Sequence, residues 1–181
     1  MRRSLVMTVL ALALCVPTAR AAEIGIGAFG GVSIPILNDL SEQGTQFGVR
    51  VPVNLLPLLT VEPYFSSSAL GEVDEDFGGP IEFTRDGGDL TAFGANALFT
   101  FGSPMVKFFP FVGIGSFKLE RDGAEEVSDM GVTFGLGLGI SPVPKLSFSV
   151  RGEMAAIITD ETSQKFANVN AGASYAIFSL P

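Results

Sequence analysis

The chain has 181 residues, enough for one domain plus a targeting segment. It contains no histidine and one cysteine, which argues against Ser-His-Asp triads, Cys-His pairs and His/Cys zinc sites. Its 19 acidic residues outnumber 11 basic residues, and this balance argues against nucleic acid as a partner.

Residues 1–21 are predicted to be a secretory signal peptide. Basic Met1-Arg2-Arg3 precedes an apolar run from Leu5 to Val16, and Ala19-Arg20-Ala21 offers the small-x-small pattern read by signal peptidase. Cleavage after Ala21 would leave residues 22–181 as one domain. That mature chain has eight basic and 19 acidic residues, a net charge of −11, and no cysteine.

A rival interpretation makes Cys15 the lipidated cysteine of a lipoprotein. Leu14 stands where such a site needs a small residue, and Cys15 lies inside the apolar run rather than after it. The cleaved signal peptide is therefore the favoured interpretation.

Alternation with a period of two predicts eight β-strands in the mature chain. In the clearest run, Met130 to Ser141, one face is apolar from Val132 to Ile140 and the other carries glycine, threonine and serine. The predicted strands are 23–34, 45–54, 58–70, 89–101, 106–120, 130–141, 145–158 and 166–178.

The predicted connections alternate between tight and long. Tight turns are expected around Leu55-Leu56-Pro57, Gly102-Ser103-Pro104 and Ser141-Pro142-Val143-Pro144. Long polar connections are expected at 35–44, 71–88, 121–129 and 159–165, and 16 of the 19 acidic residues lie in or beside them. Short turns on one rim and long loops on the other are typical of outer-membrane barrels, whose even strand number places both termini on the periplasmic side.

These patterns predict an all-β fold, an eight-stranded antiparallel up-and-down transmembrane β-barrel. The mean hydropathy of the chain is +0.43, yet its mature part has no apolar run near 18 residues and hence no predicted membrane helix. A closed barrel satisfies every backbone group between strands and so explains an exported apolar chain.

Two segments strengthen this prediction by resemblance. The pattern Asn170-x-Gly172-x-x-Tyr175-x-Ile177 resembles the C-terminal β-signal recognised by the outer-membrane assembly machinery, although the chain continues past Phe178 to Pro181. Phe109 to Gly115 resembles a strand common in small porin-like barrels. The mature chain as a whole is similar to the eight-stranded outer-membrane protein A and X type, and this resemblance implies a bacterial outer-membrane location in contact with outer-membrane lipid.

Four charged residues are predicted to point into the barrel: Arg50, Glu62, Arg151 and Glu153. Buried charges must pair, because an unpaired one is very costly. We interpret them as a paired network that fills the lumen and fixes its register, since eight strands leave room for little more than their own side chains. A gate or selective constriction in a pore is the alternative.

The acidic connections 71–88 and 121–129 are candidate surfaces for an external ligand. Asp74 to Gly78 faintly suggests a calcium loop, but Arg85 occupies the position where an EF-hand needs glutamate, so no metal or cofactor site is predicted. Aromatic residues near strand ends are expected to form interfacial girdles: Tyr64, Phe99, Phe101, Phe108, Phe117 and Tyr175.

The favoured function is a structural component or surface-interaction scaffold, and the alternative is a narrow porin-like channel for ions or small solutes. An enzyme is not predicted, because the lipid A acyltransferase and deacylase barrels of similar size use a histidine. A soluble lipocalin-like barrel shows the same alternation, but it would leave the β-signal unexplained and would expose the glycine-rich face of 131–141.

Overall fold

The computed structural model describes residues 23–36, 42–71, 73–75, 83–85, 88–121, 127–158 and 164–179. The predicted signal peptide, residues 1–21, lies outside the described residues. Among those residues, no helix is long and apolar enough to cross a membrane.

Eight long strands form the fold, and they lie close to the predicted ranges. They are β1 (Glu23–Ile36), β2 (Glu42–Arg50, continuing as Val53–Leu56), β3 (Leu59–Gly71), β4 (Gly88–Phe99, continuing as Phe101–Gly102), β5 (Val106–Arg121), β6 (Val127–Val143), β7 (Leu146–Ile157) and β8 (Gln164–Ser179).

Each strand pairs antiparallel with the next along the chain. The ring closes because β8 also pairs antiparallel with β1, from Glu23–Ser179 to Ile36–Lys165. The prediction of a closed eight-stranded up-and-down barrel is confirmed. Within the described residues, closure leaves the barrel itself without a free sheet edge, as a strand protein in lipid requires.

The interruption of β2 follows from Pro52, which has no N–H to donate to the ladder. The ladder is maintained around it, because the Pro52 carbonyl accepts from the Gly25 N–H at 2.9 Å and the Val51 N–H donates to the Pro63 carbonyl at 2.9 Å. The strand therefore keeps its place in the wall on both sides of the proline.

One predicted loop contains additional structure. Within 71–88, Val73–Glu75 pairs antiparallel with Phe83–Arg85 in a small separate sheet. In the other long connections, residues 37–41, 122–126 and 159–163 lie outside the described residues.

The outward face of the barrel is apolar over the middle of all eight strands. Phe93, Leu138 and Phe47 are 67%, 61% and 60% exposed, and each lies one residue away from a buried or half-buried neighbour on the inward face. Exposed apolar area of this extent is far above that of a water-soluble surface. The pattern is that of a wall facing lipid.

Candidate functional site: the lumen of the barrel

The lumen contains a belt of buried polar side chains contributed by most of the strands. Its members are less than one-tenth exposed: Ser33, Gln46, Arg50, Thr60, Glu62, Ser66, Ser68, Asn96, Thr133, Arg151, Asn168 and Asn170. Several of them, including Asn96, Thr133 and Gln46, were not singled out from the sequence. They either lie an even number of residues from a predicted inward charge on the same strand or alternate with outward apolar residues. Assigning every residue of each strand to the inward or outward face by this alternation would have found them.

An ion pair between Glu62 and Arg151 joins opposite walls. Arg151 Nη1 donates to Glu62 Oε1 at 2.5 Å and Nη2 donates to Oε2 at 2.9 Å. Glu62 is on β3 and Arg151 on β7, and three strands separate β3 from β7 in either direction around the ring. The two side chains therefore meet across the diameter of the lumen, in the bidentate geometry that makes arginine–carboxylate pairs strong.

Aromatic rings of β5 complete the surroundings of Arg151. Its guanidinium carbon lies 5.0 Å from the ring centroid of Phe109 and 5.7 Å from that of Phe111, within the range of cation–π attraction. Both rings lie against glycines of β6: Phe109 pairs with Gly137 and Phe111 with Gly135. A Cβ on Gly137 would overlap the Phe109 ring, so these glycines make the room that the rings fill.

Arg50 has a different environment. Its guanidinium carbon lies 4.4 Å from the centroid of the Phe29 ring, and its Nη2 approaches Gly172 so closely that a Cβ there would overlap it. Among the described residues, Arg50 forms no ion pair, and Nη2 has no hydrogen-bond partner. Arg50 is thus held by an aromatic ring rather than by a carboxylate.

Glu153 lies two residues after Arg151 in the sequence, but its hydrogen-bond partner is Asn168. Asn168 Nδ2 donates to Glu153 Oε1 at 3.1 Å, between neighbouring strands. Glu153 also lines a cavity of about 10 Å³ with Gln46, Tyr64 and Asn168, which is room for about one water molecule. The structure therefore brings together Glu62 and Arg151, while Arg50 and Glu153 have separate neighbours.

The predicted assembly-signal residues alternate between the two faces of β8. Asn170 is 4% exposed on the lumen side, where it pairs in register with Arg151, and Gly172 lies beneath Arg50. Tyr175 and Ile177 are 52% and 61% exposed on the outer wall. The same short segment thus contributes to the lumen and to the lipid-facing surface.

An apolar cluster lies in the lumen between the polar belt and the rim of the long connections. It contains eight buried side chains: Tyr64, Leu70, Leu90, Ala92, Phe117, Ala155, Ile157 and Phe166. All of them except Tyr64 lie within four residues of a strand end at that rim. The cluster makes this end of the lumen largely apolar, although Gln46, Ser68 and Asn168 of the belt line the same small cavity.

The girdle prediction is wrong for two of its six aromatic residues. Tyr64 and Phe117 are only 9% and 5% exposed and lie inside the barrel, whereas Phe99, Phe101, Phe108 and Tyr175 are exposed on the outer wall. Strand parity is the reason, because Tyr64 lies two residues from inward Glu62 and Phe117 lies six from inward Phe111. Neither the aromatic character of a residue nor its distance from a strand end determines whether its side chain lies in the lumen or on the outer wall.

These features define a class of protein: a closed antiparallel barrel with an apolar outer wall and a polar, side-chain-filled interior is a transmembrane barrel of the bacterial outer-membrane type. Comparison with protein families agrees. The model of the outer membrane protein β-barrel domain family matches residues 6–176, and the chain belongs to this family.

Solved structures share the fold at low sequence identity. Neisserial surface protein A aligns with a TM-score of 0.63 at 12% identity, over 85% of this chain and 96% of that one. A major outer membrane protein from Thermus thermophilus gives 0.58 at 15% identity, over 87% of this chain and all of that one. The N-terminal barrel domain of Pseudomonas aeruginosa OprF gives 0.55 at 14% identity, over 87% and 100%. Comparison with curated protein sequences finds no match.

Proposed function

We propose that this protein is a closed structural barrel and surface scaffold of the bacterial outer membrane rather than an open pore. The observation that carries the proposal is the ion pair between Glu62 and Arg151, which crosses the lumen between opposite walls. A cross-strut at this position blocks the path along the axis. It also fixes the relative position of two walls that no backbone ladder connects directly.

The apolar groups around the strut support a closed lumen. The apolar cluster around Phe117 and Phe166 lies toward the long-connection rim, and the buried rings of Phe109 and Phe111 pack against the Arg151 guanidinium at the level of the strut. An ion passing these apolar groups would have to leave its hydration shell without finding replacement ligands. The strut and the apolar groups together favour a filled barrel over a conducting one.

The external role rests on the long connections. Residues 71–88 carry six acidic residues and one basic residue, and 121–129 carry four and one. Ail of Yersinia pestis, which shares the fold at 18% identity and a TM-score of 0.52, was crystallised with the heparin analogue sucrose octasulfate. A polyanion of that kind would be repelled by these connections, so the partner we expect here is basic or bridged by divalent cations.

Two further roles complete the proposal. We infer that residues 1–21 are removed on export, that 22–181 fold as the barrel, and that Asn170, Gly172, Tyr175 and Ile177 act as the assembly signal. We assign no reaction to the protein, because an acyltransferase or deacylase of this architecture would need a histidine and the chain has none.

A narrow channel for ions or small solutes remains the second candidate function. The observation that favours it is the belt itself, since a lumen lined by Arg50, Gln46 and Asn170 offers polar groups to a passing solute. The two candidates differ in what happens when the strut is removed.

Conductance in planar bilayers separates them. We expect no steady current from the folded wild-type protein, brief openings after Arg151→Ala, and more frequent openings when Phe117→Ala is added. Lys107→Ala is the matched control: Lys107 faces inward near the short-turn rim and forms no ion pair among the described residues, so its removal should leave the bilayer silent. A reproducible wild-type conductance whose ion preference shifts with Arg151 would establish the channel instead.

The external role has its own measurement. Calcium and polylysine binding to the folded protein would be followed by titration calorimetry, beside a variant whose six acidic residues in 71–88 are amides. We expect the amide variant to bind both probes more weakly. Equal binding by the two proteins would remove this connection from the proposal and leave the closed lumen unaffected.

A further inference from the structure

The rim formed by the short turns is unusually apolar. The turns between β2 and β3, β4 and β5, and β6 and β7 expose leucine, methionine, valine and phenylalanine side chains by about half or more: Leu55, Leu56, Leu58, Phe101, Met105, Val106 and Val143. Exposed apolar groups on three neighbouring turns form an apolar surface that is unusual for a part of a protein in contact with water.

This rim is continuous with the apolar outer wall. On β4 the outward side chains become polar at Thr91, and the apolar stretch runs from Phe93 to Phe101. On β5 the change falls at Ser116, and the stretch runs from Ile114 to Val106. Between these positions and the short turns, no polar side chain interrupts the outward face of β4 or β5.

On β4 and β5 the turn residues form part of the height of the apolar wall. Phe93 to Phe101 and Ile114 to Val106 each cover eight residue steps, or roughly 20 Å along the barrel axis at about 3.3 Å per residue and a tilt of about 40°. Outer-membrane barrels present an apolar band of about 25 Å. Both stretches end on the turn residues Phe101 and Val106, so without the turns the apolar wall on β4 and β5 would fall further below that height.

The backbone of the turns suits a lipid environment. A peptide N–H without a partner is expensive in hydrocarbon, and four turn residues have no N–H because they are prolines: Pro57, Pro104, Pro142 and Pro144. Other groups are paired, since the Ser103 N–H donates to the Val106 carbonyl at 2.9 Å and the Ser141 N–H to the Met105 carbonyl at 2.9 Å.

Charge at this rim is sparse and mainly positive. Among the described residues at the rim, the charged side chains are those of Glu23, Lys107 and Lys145. The exposed Lys145 side chain can extend from this apolar surface toward lipid phosphates, whereas Lys107 faces the lumen. In the sequence, the acidic excess belongs to the segments that connect the strands at their other ends. The described short turns have the composition of a surface that enters lipid.

We propose that the three short turns are immersed in the membrane leaflet on the side of the chain termini, with acyl chains covering Leu56, Met105 and Val143. The barrel would then lie deep in that leaflet, and its short turns would not project into water. The partner at this surface is lipid, by continuity with the lipid-facing wall, and the proposal does not depend on whether the lumen conducts.

The absence of tryptophan from the sequence permits a direct test. Leu56→Trp and Met105→Trp would each supply the only tryptophan of the protein, folded into phosphatidylcholine vesicles with or without brominated acyl chains. Leu136→Trp, in the middle of the outer wall of β6, gives the lipid reference. Ser128→Trp, at the opposite rim of the same strand, gives the aqueous reference.

We expect both turn variants to show blue-shifted emission, a loss of intensity in brominated vesicles comparable with that of Leu136→Trp, and little quenching by acrylamide. Emission and acrylamide quenching that match those of Ser128→Trp would place the turns in water and overturn the proposal; this rim would then have to be covered by a protein. Folding is checked by the heat-dependent shift in electrophoretic mobility, and Leu55→Trp and Val143→Trp replace any variant that does not fold.

Discussion

The two faces of one strand, β6, solve opposite problems with neighbouring residues. Its outward face carries large apolar side chains, with Leu136 and Leu138 55% and 61% exposed. Its inward face carries glycine at 131, 135, 137 and 139, over which aromatic rings of β5 lie. On the outward face, large side chains contact lipid, whereas on the inward face glycines leave space for the rings of β5. In a narrow barrel, the side chains allowed in the lumen are therefore restricted by their volume, and those allowed on the outer wall are restricted by their polarity. The two faces should respond to different substitutions.

The largest effect is expected from breaking the strut on the inward face. Glu62→Ala or Arg151→Ala leaves one buried charge without its partner, which should lower the free energy of unfolding by about 3–5 kcal/mol. Replacing both residues with methionine removes both charges and should restore most of that loss. Urea unfolding in lipid vesicles, followed by circular dichroism, measures the difference. If the double variant were no more stable than the single variants, the cost of the single substitutions would not come from an unpaired buried charge.

A charge on the outward face should come next. Leu136→Arg puts a cation near the middle of the lipid-facing wall and should cost about 2–4 kcal/mol of stability. Met130→Arg on the same face, 59% exposed but close to the long-connection rim, should cost about 0–1 kcal/mol. The same unfolding assay compares the two. Equal costs at the two depths would show that this face does not lie across the bilayer.

Adding one methyl group, by a glycine-to-alanine substitution, should lower the stability of the protein on the inward face and leave it unchanged on the outward face. Gly137→Ala forces a Cβ into the Phe109 ring and should cost about 1–3 kcal/mol, whereas a Cβ on outward Gly152 meets nothing within 4 Å. Gly152→Ala is therefore the matched control and should be neutral or slightly stabilising. Adding Phe109→Leu to Gly137→Ala should recover part of the loss. If both alanine variants were equally stable, the lumen would not be limited by volume.

The smallest effect concerns a turn that belongs to neither face. Lys145 follows Pro144 with φ of 73°, in the left-handed region that favours glycine. Lys145→Gly should raise the free energy of unfolding by about 0.5–1 kcal/mol through relief of this strain. Lys145→Ala removes the same charge and keeps the strain, so it should bring no gain. A gain of the same size with alanine would assign the effect to the charge.

The sequence determined the strands because lipid and a filled lumen demand opposite side chains on alternate residues. The run from Met130 to Ser141 therefore predicted β6, and similar runs located the other seven strands to within a few residues. The same alternation selected Arg50, Glu62, Arg151 and Glu153 as inward candidates. Where the prediction relied on residue type instead of parity, as for Tyr64 and Phe117, it was wrong.

Only the tertiary structure decided which inward groups meet. Glu62 and Arg151 are 89 residues apart in sequence, and nothing in either strand shows that β3 and β7 face each other at the same depth. That depends on ring closure, on the stagger of every strand pair and on the volume left by glycines such as Gly137. Alternation is a local consequence of β geometry and can be read from the sequence, whereas contact across the lumen is a property of the closed barrel.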